Sequence, residues 1–217
     1  MVASETGKIG IIKRSHESVT PPRLRYSDAR RTIRAFVGDP RRDKRVLHAA
    51  RTTFEQRASD LSQTAFVRSD AEGCKDVIDH FLTMQNVLGG YDFVPAPQRQ
   101  AKLSLGGVEV SVNVDALLHR TKGATEQIGG ALFRFTKAED ESDNAAGKRR
   151  EMGLYAATLA LIQVQRNLKG NREPHHQLCL SVDVQCEEVH VAPKAYTTRI
   201  QNLENACRFI AAMWGRV

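Results

Sequence analysis

The spacing of apolar residues along this chain switches between two periods, and that switching limits the folds open to it more than any other feature. Up to about residue 90 the apolar side chains recur every three or four positions: Ile33, Phe36 and Val37, then Leu47, Ala50, Phe54 and Leu61, then Cys74, Val77, Ile78, Phe81, Leu82 and Leu88. Such spacing lines one face of successive helices. From residue 101 the period falls to two. Val108, Val110, Val112 and Val114 alternate with Glu109, Ser111, Asn113 and Asp115, the pattern of a strand with one buried face. Helical spacing returns in Arg149–Leu168 and gives way to a strand pair in Leu178–Val191, broken near Glu187-Glu188. It resumes after Pro193 with Ile200, Leu203, Ala206, Cys207, Ile210 and Trp214. The sequence therefore predicts an α/β fold, a mixed central sheet flanked by helices, with a helical N-terminal part.

Boundary signals refine this reading. Ser27 is placed as an N-cap and Gly38 as a stop, and Pro40 restarts a helix. Ser69 with Glu72 reads as a capping box, and Gly89-Gly90 ends the helix it opens. Ala101–Leu105 and a long Val108–His119 strand flank a tight Gly106-Gly107 turn. Thr121–Gln127 reads as a loop, Gly129–Lys137 as the next strand, and AEDESDNAAGK as a loop or helix lead-in. At 217 residues one domain is expected. Residues 1–22, ending in Pro21-Pro22, form a basic arm or short strand, and 23–217 a single α/β domain. Within it, 23–90 is the helical part and 91–217 the sheet-containing core.

Charge narrows the partners. Residues 1–50 hold twelve Lys and Arg against five acids, which is the whole net charge of +7; the remainder is neutral. A basic segment on a neutral body suits contact with phosphates, because Lys and Arg release the counterions condensed on nucleic acid. Tyr26 and Phe36 are the only aromatics in that segment, so base stacking is poorly served. No apolar run reaches the ~20 residues of a membrane span, and the first thirty residues lack the apolar stretch of a secretory signal. Cys74, Cys179, Cys186 and Cys207 form no CxxC pair, and His175-His176 has no partner at zinc-ligand spacing. The cysteines read as small buried hydrophobes in a reducing cytoplasm. Walker, GxGxxG, GxSxG and HExxH motifs are all absent, which leaves a small-molecule enzyme with little support.

Three segments between residues 106 and 155 carry a resemblance. GVEVSVNVDALLHR resembles a strand closing on a metal-binding aspartate, here Asp115. GGALFRFTK resembles a strand with an acid, a spacer and a lysine, here Lys137. EMGLYAATL resembles a Gln-x-x-x-Tyr helix, with Tyr155 matching and Glu151 in the glutamine's place. In this order they resemble the PD-(D/E)XK nuclease superfamily, restriction-endonuclease-like and RecB-like, over roughly residues 70–192. The resemblance implies a core of helix, three strands, helix and further strands. It implies a phosphodiesterase using magnesium or manganese, with Asp115, Lys137 and Glu151 catalytic and Asp115 and Glu151 as metal ligands. Tyr155, Arg134, Arg30 and Arg34 are the expected contacts to a nucleic-acid substrate. A divalent cation polarises the phosphate and acidifies an attacking water, and a nearby lysine stabilises the developing charge.

The chain departs from that pattern at one position. Two residues before Lys137, on the same side of a strand, stands Phe135 where the second acid belongs. Glu151 from the helix or Glu109 beside Asp115 are the candidate replacements. The readings left open are a divergent metal-dependent nuclease, a catalytically inactive DNA-binding relative, and a non-enzymatic scaffold that binds a protein partner or a second copy of itself.

Overall fold

The computed structural model describes residues 5–17, 25–137 and 142–214. Pro21-Pro22 and residues 138–141 of the acidic lead-in lie outside the described residues. Four helices come first: α1 (Glu5–Glu17), α2 (Ser27–Gly38), α3 (Arg45–Ser59) and α4 (Ala65–Thr83), followed by one turn, α5 (Gln85–Leu88). Strands β1 (Asp92–Pro95), β2 (Leu103–Leu105), β3 (Val108–Val110), β4 (Ala116–Lys122) and β5 (Thr125–Arg134) follow. Then come α6 (Asp143–Gln163), β6 (Glu173–Pro174), β7 (Leu180–Asp183), β8 (Glu188–Val191) and α7 (Thr197–Trp214).

The main sheet is mixed, in the order β1-β4-β5-β7-β8, with β6 beside β5. β1, β4 and β5 run antiparallel, whereas β5 and β7 are parallel. Parallel neighbours need a long crossover, and α6 supplies it. The pleat decides which residues face which layer. Ala131 and Phe133 join the core built with α2, α3 and α4, where Phe81 meets both Phe36 and Phe133 edge to face, with ring centroids 5.9 and 5.8 Å apart. Gly130 and Leu132 face the other way, toward α6 and its continuation. Gly129 lies where the chain at Leu178 crosses β5. A Cβ there would stand 2.0 Å from the Leu178 carbonyl oxygen, so only glycine fits.

Several expectations are revised. The long strand Val108–His119 is broken. β2 and β3 form a separate ribbon around Gly106 and Gly107, both at positive φ (55° and 84°) as a tight hairpin requires. After the ribbon the Gln100 side chain, not a neighbouring strand, satisfies Val114: its Oε1 accepts from Val114 N at 3.0 Å and its Nε2 donates to Val114 O at 2.9 Å. β4 begins only after Asp115. The third strand starts at Thr125, not Gly129, and ends at Arg134, before Lys137. α4 begins at Ala65, capped by Thr64, whose hydroxyl accepts from Val67 N; Ser69 and Glu72 lie inside the helix. Residues 5–17 are helical where an arm or strand was expected, and α1 packs on α7, with Lys8 Nζ 5.9 Å from the centroid of Phe209. β1 carried no alternating pattern and was not expected. α7 begins at Thr197, later than Pro193. All four cysteines are free; Cys74, Cys179 and Cys207 are buried and Cys186 is half-buried. No helix among the described residues is long and apolar enough to cross a membrane.

Candidate nucleic-acid interface

The main chain fixes Asp115 before its side chain is considered. Its N–H donates to Ala131 O at 2.7 Å, and Gln100 holds the preceding residue. The carboxylate is 2% exposed and turned toward α2. Both of its oxygens accept from Arg30 Nη1, at 2.8 and 2.7 Å, and Oδ2 also accepts from Phe133 N at 2.8 Å. Arg34 Nε stands 4.0 Å from Oδ1. Arg30 in turn donates from Nη2 to Phe133 O at 3.0 Å, and its guanidinium lies over the Phe135 ring, 4.8 Å from the centroid. A cation is thus already seated on the oxygens that Asp115 and Phe133 present.

α2 carries Arg30, Arg31 and Arg34, and the positions i and i+4 share a face. Together with Ser27, Gln98 and Asp115 they line a cleft of about 550 Å³ between α2 and the end of β1. Three guanidiniums against one carboxylate leave the cleft with a net charge of +2. Arg31 is 80% exposed and 3.5 Å from Asp28, and Arg34 is half-buried. The cleft therefore offers planar N–H donors toward solvent, with one arginine anchored on the sheet.

The other expected site residues lie elsewhere. Lys137 Nζ donates to Asp76 Oδ2 on α4 at 2.8 Å, and that bond raises the lysine above its ordinary pKa. Glu151, on α6, accepts two hydrogen bonds from Arg199 Nη2 of α7, at 3.0 and 3.1 Å. The Tyr155 hydroxyl accepts from Asn202 Nδ2 at 2.9 Å. Arg134 approaches the fully buried Asp183 at 3.2 Å and shares it with Arg149, which binds it at 2.7 Å through both Nε and Nη2. Burial pulls Arg134 below its ordinary pKa. Arg134, Glu151 and Tyr155 thus belong to the α6 side of the sheet, and Asp115, Arg30 and Arg34 to the α2 side.

The expected metal ligands Asp115 and Glu151 are therefore not brought together, and Glu109 lies on the separate β2–β3 ribbon. Phe135, in the position of the second acid, is buried at 5% exposure. No three His, Cys, Asp or Glu side chains converge on a common point among the described residues. As they stand, the residues around Asp115 do not fit magnesium or manganese: the carboxylate is occupied by a guanidinium and no second hard anionic ligand adjoins it.

The local signal for Arg31 is the RRTIR run, which sets it beside Arg30 and three residues from Arg34 on α2. Gln98, which arrives from the β1–β2 connection, and the Arg149–Asp183 pair gave no local signal, since only tertiary structure assembles them. No protein-family model matches the chain, and no curated protein matches it.

Proposed function

We propose that this chain is a nucleic-acid-binding protein with a restriction-endonuclease-like core that has lost hydrolysis, an arginine having taken the place of the metal. The observation that carries the reading is Arg30 clamped on Asp115 and Phe133 at the floor of a cleft with net positive charge. Two features support it. The order α4, three antiparallel strands, α6 and a strand parallel to the third matches the order the resemblance implies. The excess charge of the chain falls in the segment that supplies the cleft's arginines.

Phosphate oxygens are the natural occupants of such a cleft. Guanidinium groups meet them bidentately, and Arg30 is held so that little rotamer freedom is left to lose on binding. The cleft has no aromatic lining, which favours the sugar–phosphate backbone of a duplex over the stacked bases of a single strand. Four free cysteines suit a reducing cytoplasm. Burial pushes Cys179 up to about 12 and Cys74 up to about 11, so both remain protonated and unreactive near neutral pH.

The test is duplex binding by the full chain and by Arg31→Glu/Arg34→Glu, followed by fluorescence anisotropy, together with a plasmid-nicking assay in magnesium and in manganese. Binding that the double variant loses, with no nicking by the parent, is the expected result. Nicking that Asp115→Ala abolishes would instead establish the metal-dependent nuclease. A second reading, a protein-interaction scaffold, draws on exposed Ile9, Ile11 and Ile210 on the paired helices α1 and α7. It predicts self-association in light scattering and no duplex binding.

A further inference from the structure

The sheet face opposite the arginine cleft carries a second concavity. Between α6 and α7 lies a cavity of about 360 Å³, walled mostly by Met152, Ala156, Leu159, Leu203 and Ala206. Its polar members are Arg134, Tyr155 and Asn202, and no carboxylate lines it. A carbon-lined hollow with few polar groups is the usual form of a small-molecule site.

Charge identifies what kind of molecule would enter. Arg134 and Arg149 share one buried carboxylate, Asp183, and the other acid acting on them, Glu188, is 54% exposed. Arg134 Nη1 is buried and donates to nothing. Arg199, whose guanidinium carbon lies 5.4 Å from the centroid of the Tyr155 ring, has a second unpartnered buried nitrogen, Nε. These are the two unpartnered buried guanidinium nitrogens found among the described residues; Arg134 lines the cavity together with Tyr155, and Arg199 lies over the Tyr155 ring. The Tyr155 hydroxyl accepts from Asn202, which leaves its own proton free to be donated. Buried donors without acceptors are costly, and an incoming anion would relieve them.

We infer that this cavity binds a small amphipathic carboxylate, its hydrocarbon body against Ala156, Leu159 and Leu203 and its head group against Arg134 and the Tyr155 hydroxyl. A chain of about eight carbons suits a cavity of this size. The site lies across the sheet from Arg30, and its occupancy does not depend on the nucleic-acid reading.

Isothermal titration calorimetry of the full chain with octanoate, and with 1-octanol as a neutral probe of equal length, tests this. Octanoate is expected to bind saturably at one site, about tenfold or more tighter than octanol, the ratio that one charge-assisted hydrogen bond supplies. Ala156→Phe, which fills the hollow, should abolish binding of both probes while keeping the parent's circular dichroism. Arg134→Met should erase the preference for octanoate. Should Arg134→Met fail to fold, Tyr155→Phe and the parent's octanoate-to-octanol ratio decide. No saturable binding, equal affinity for the two probes, or unchanged binding by folded Ala156→Phe would each overturn the inference.

Discussion

Asp115→Ala separates a structural aspartate from a metal ligand most sharply. A ligand for an external cation is typically strained or repelled in the free protein, so its removal leaves stability level or raised. Here the carboxylate is 2% exposed and accepts from Arg30 and from Phe133 N. Truncation leaves the Phe133 N–H without its acceptor, a cost of about 1–3 kcal/mol, and removes a charge-assisted bond of about 1.5–3 kcal/mol. Arg30 is 41% exposed and can turn partly to water, which discounts the second contribution. The net expectation is a loss of about 2–4 kcal/mol, a sizeable part of the roughly 5–15 kcal/mol that holds a domain together. For a chain of this length that lowers Tm by about 5–15 °C. Urea unfolding followed by circular dichroism, with and without 5 mM magnesium, reads it. A loss below about 0.5 kcal/mol, or a parent whose stability rises with magnesium, would mean that Arg30 does not occupy the carboxylate, and the reasoning would fail.

Further outcomes follow from the same geometry. Asp183→Asn should cost about 3–5 kcal/mol, because Arg134 and Arg149 are then left buried with no carboxylate; chemical denaturation checks it. Gly129→Ala forces a methyl group against the Leu178 carbonyl and should lower Tm or yield insoluble protein, whereas Gly147→Ala, which meets nothing within 4 Å, should not. Burial holds His190 below its ordinary pKa of 6.5, against an opposing pull from Glu188. The unfolded chain therefore binds the extra proton first, and stability present above pH 6.5 falls as the pH drops through that value toward the folded pKa. The slope is at most about 1.4 kcal/mol per pH unit for that one proton. Unfolding curves between pH 7.5 and 5 should show the decline, to which His119 and His175, also lowered by burial, contribute, and His190→Gln should make it shallower; a decline that His190→Gln leaves unchanged would contradict the assignment.

Much of the fold was legible because its helices are amphipathic and its hairpin turn is glycine-rich. Ile33, Phe36 and Val37 all proved buried on α2, and Gly106-Gly107 turned where expected. Misreadings arose where a tertiary contact replaced a local one. The valine stripe 108–114 looks like one strand, yet the Gln100 side chain, distant in the fold's logic though near in sequence, takes over the hydrogen bonds of Val114. β1 escaped notice because four residues, DFVP, cannot display a period. In the candidate site, Asp115, Arg30 and Arg34 were each named from sequence, but as ligand and substrate contacts. That they bind one another is a matter of how α2 lies against β4 and β5, which periodicity does not encode. Glu151 was assigned to the same centre because strand and helix order says nothing about which sheet face a side chain occupies.

The most direct test of the phosphate-binding cleft is the dependence of duplex affinity on potassium chloride between 50 and 300 mM. With Arg30 already paired to Asp115, the cleft's net charge of +2 neutralises about two phosphates, so log K should fall against log salt with a slope of about −1.8, and removing Arg31 or Arg34 should flatten it by about 0.9 each. A slope near zero, or one that neither substitution alters, would contradict the account.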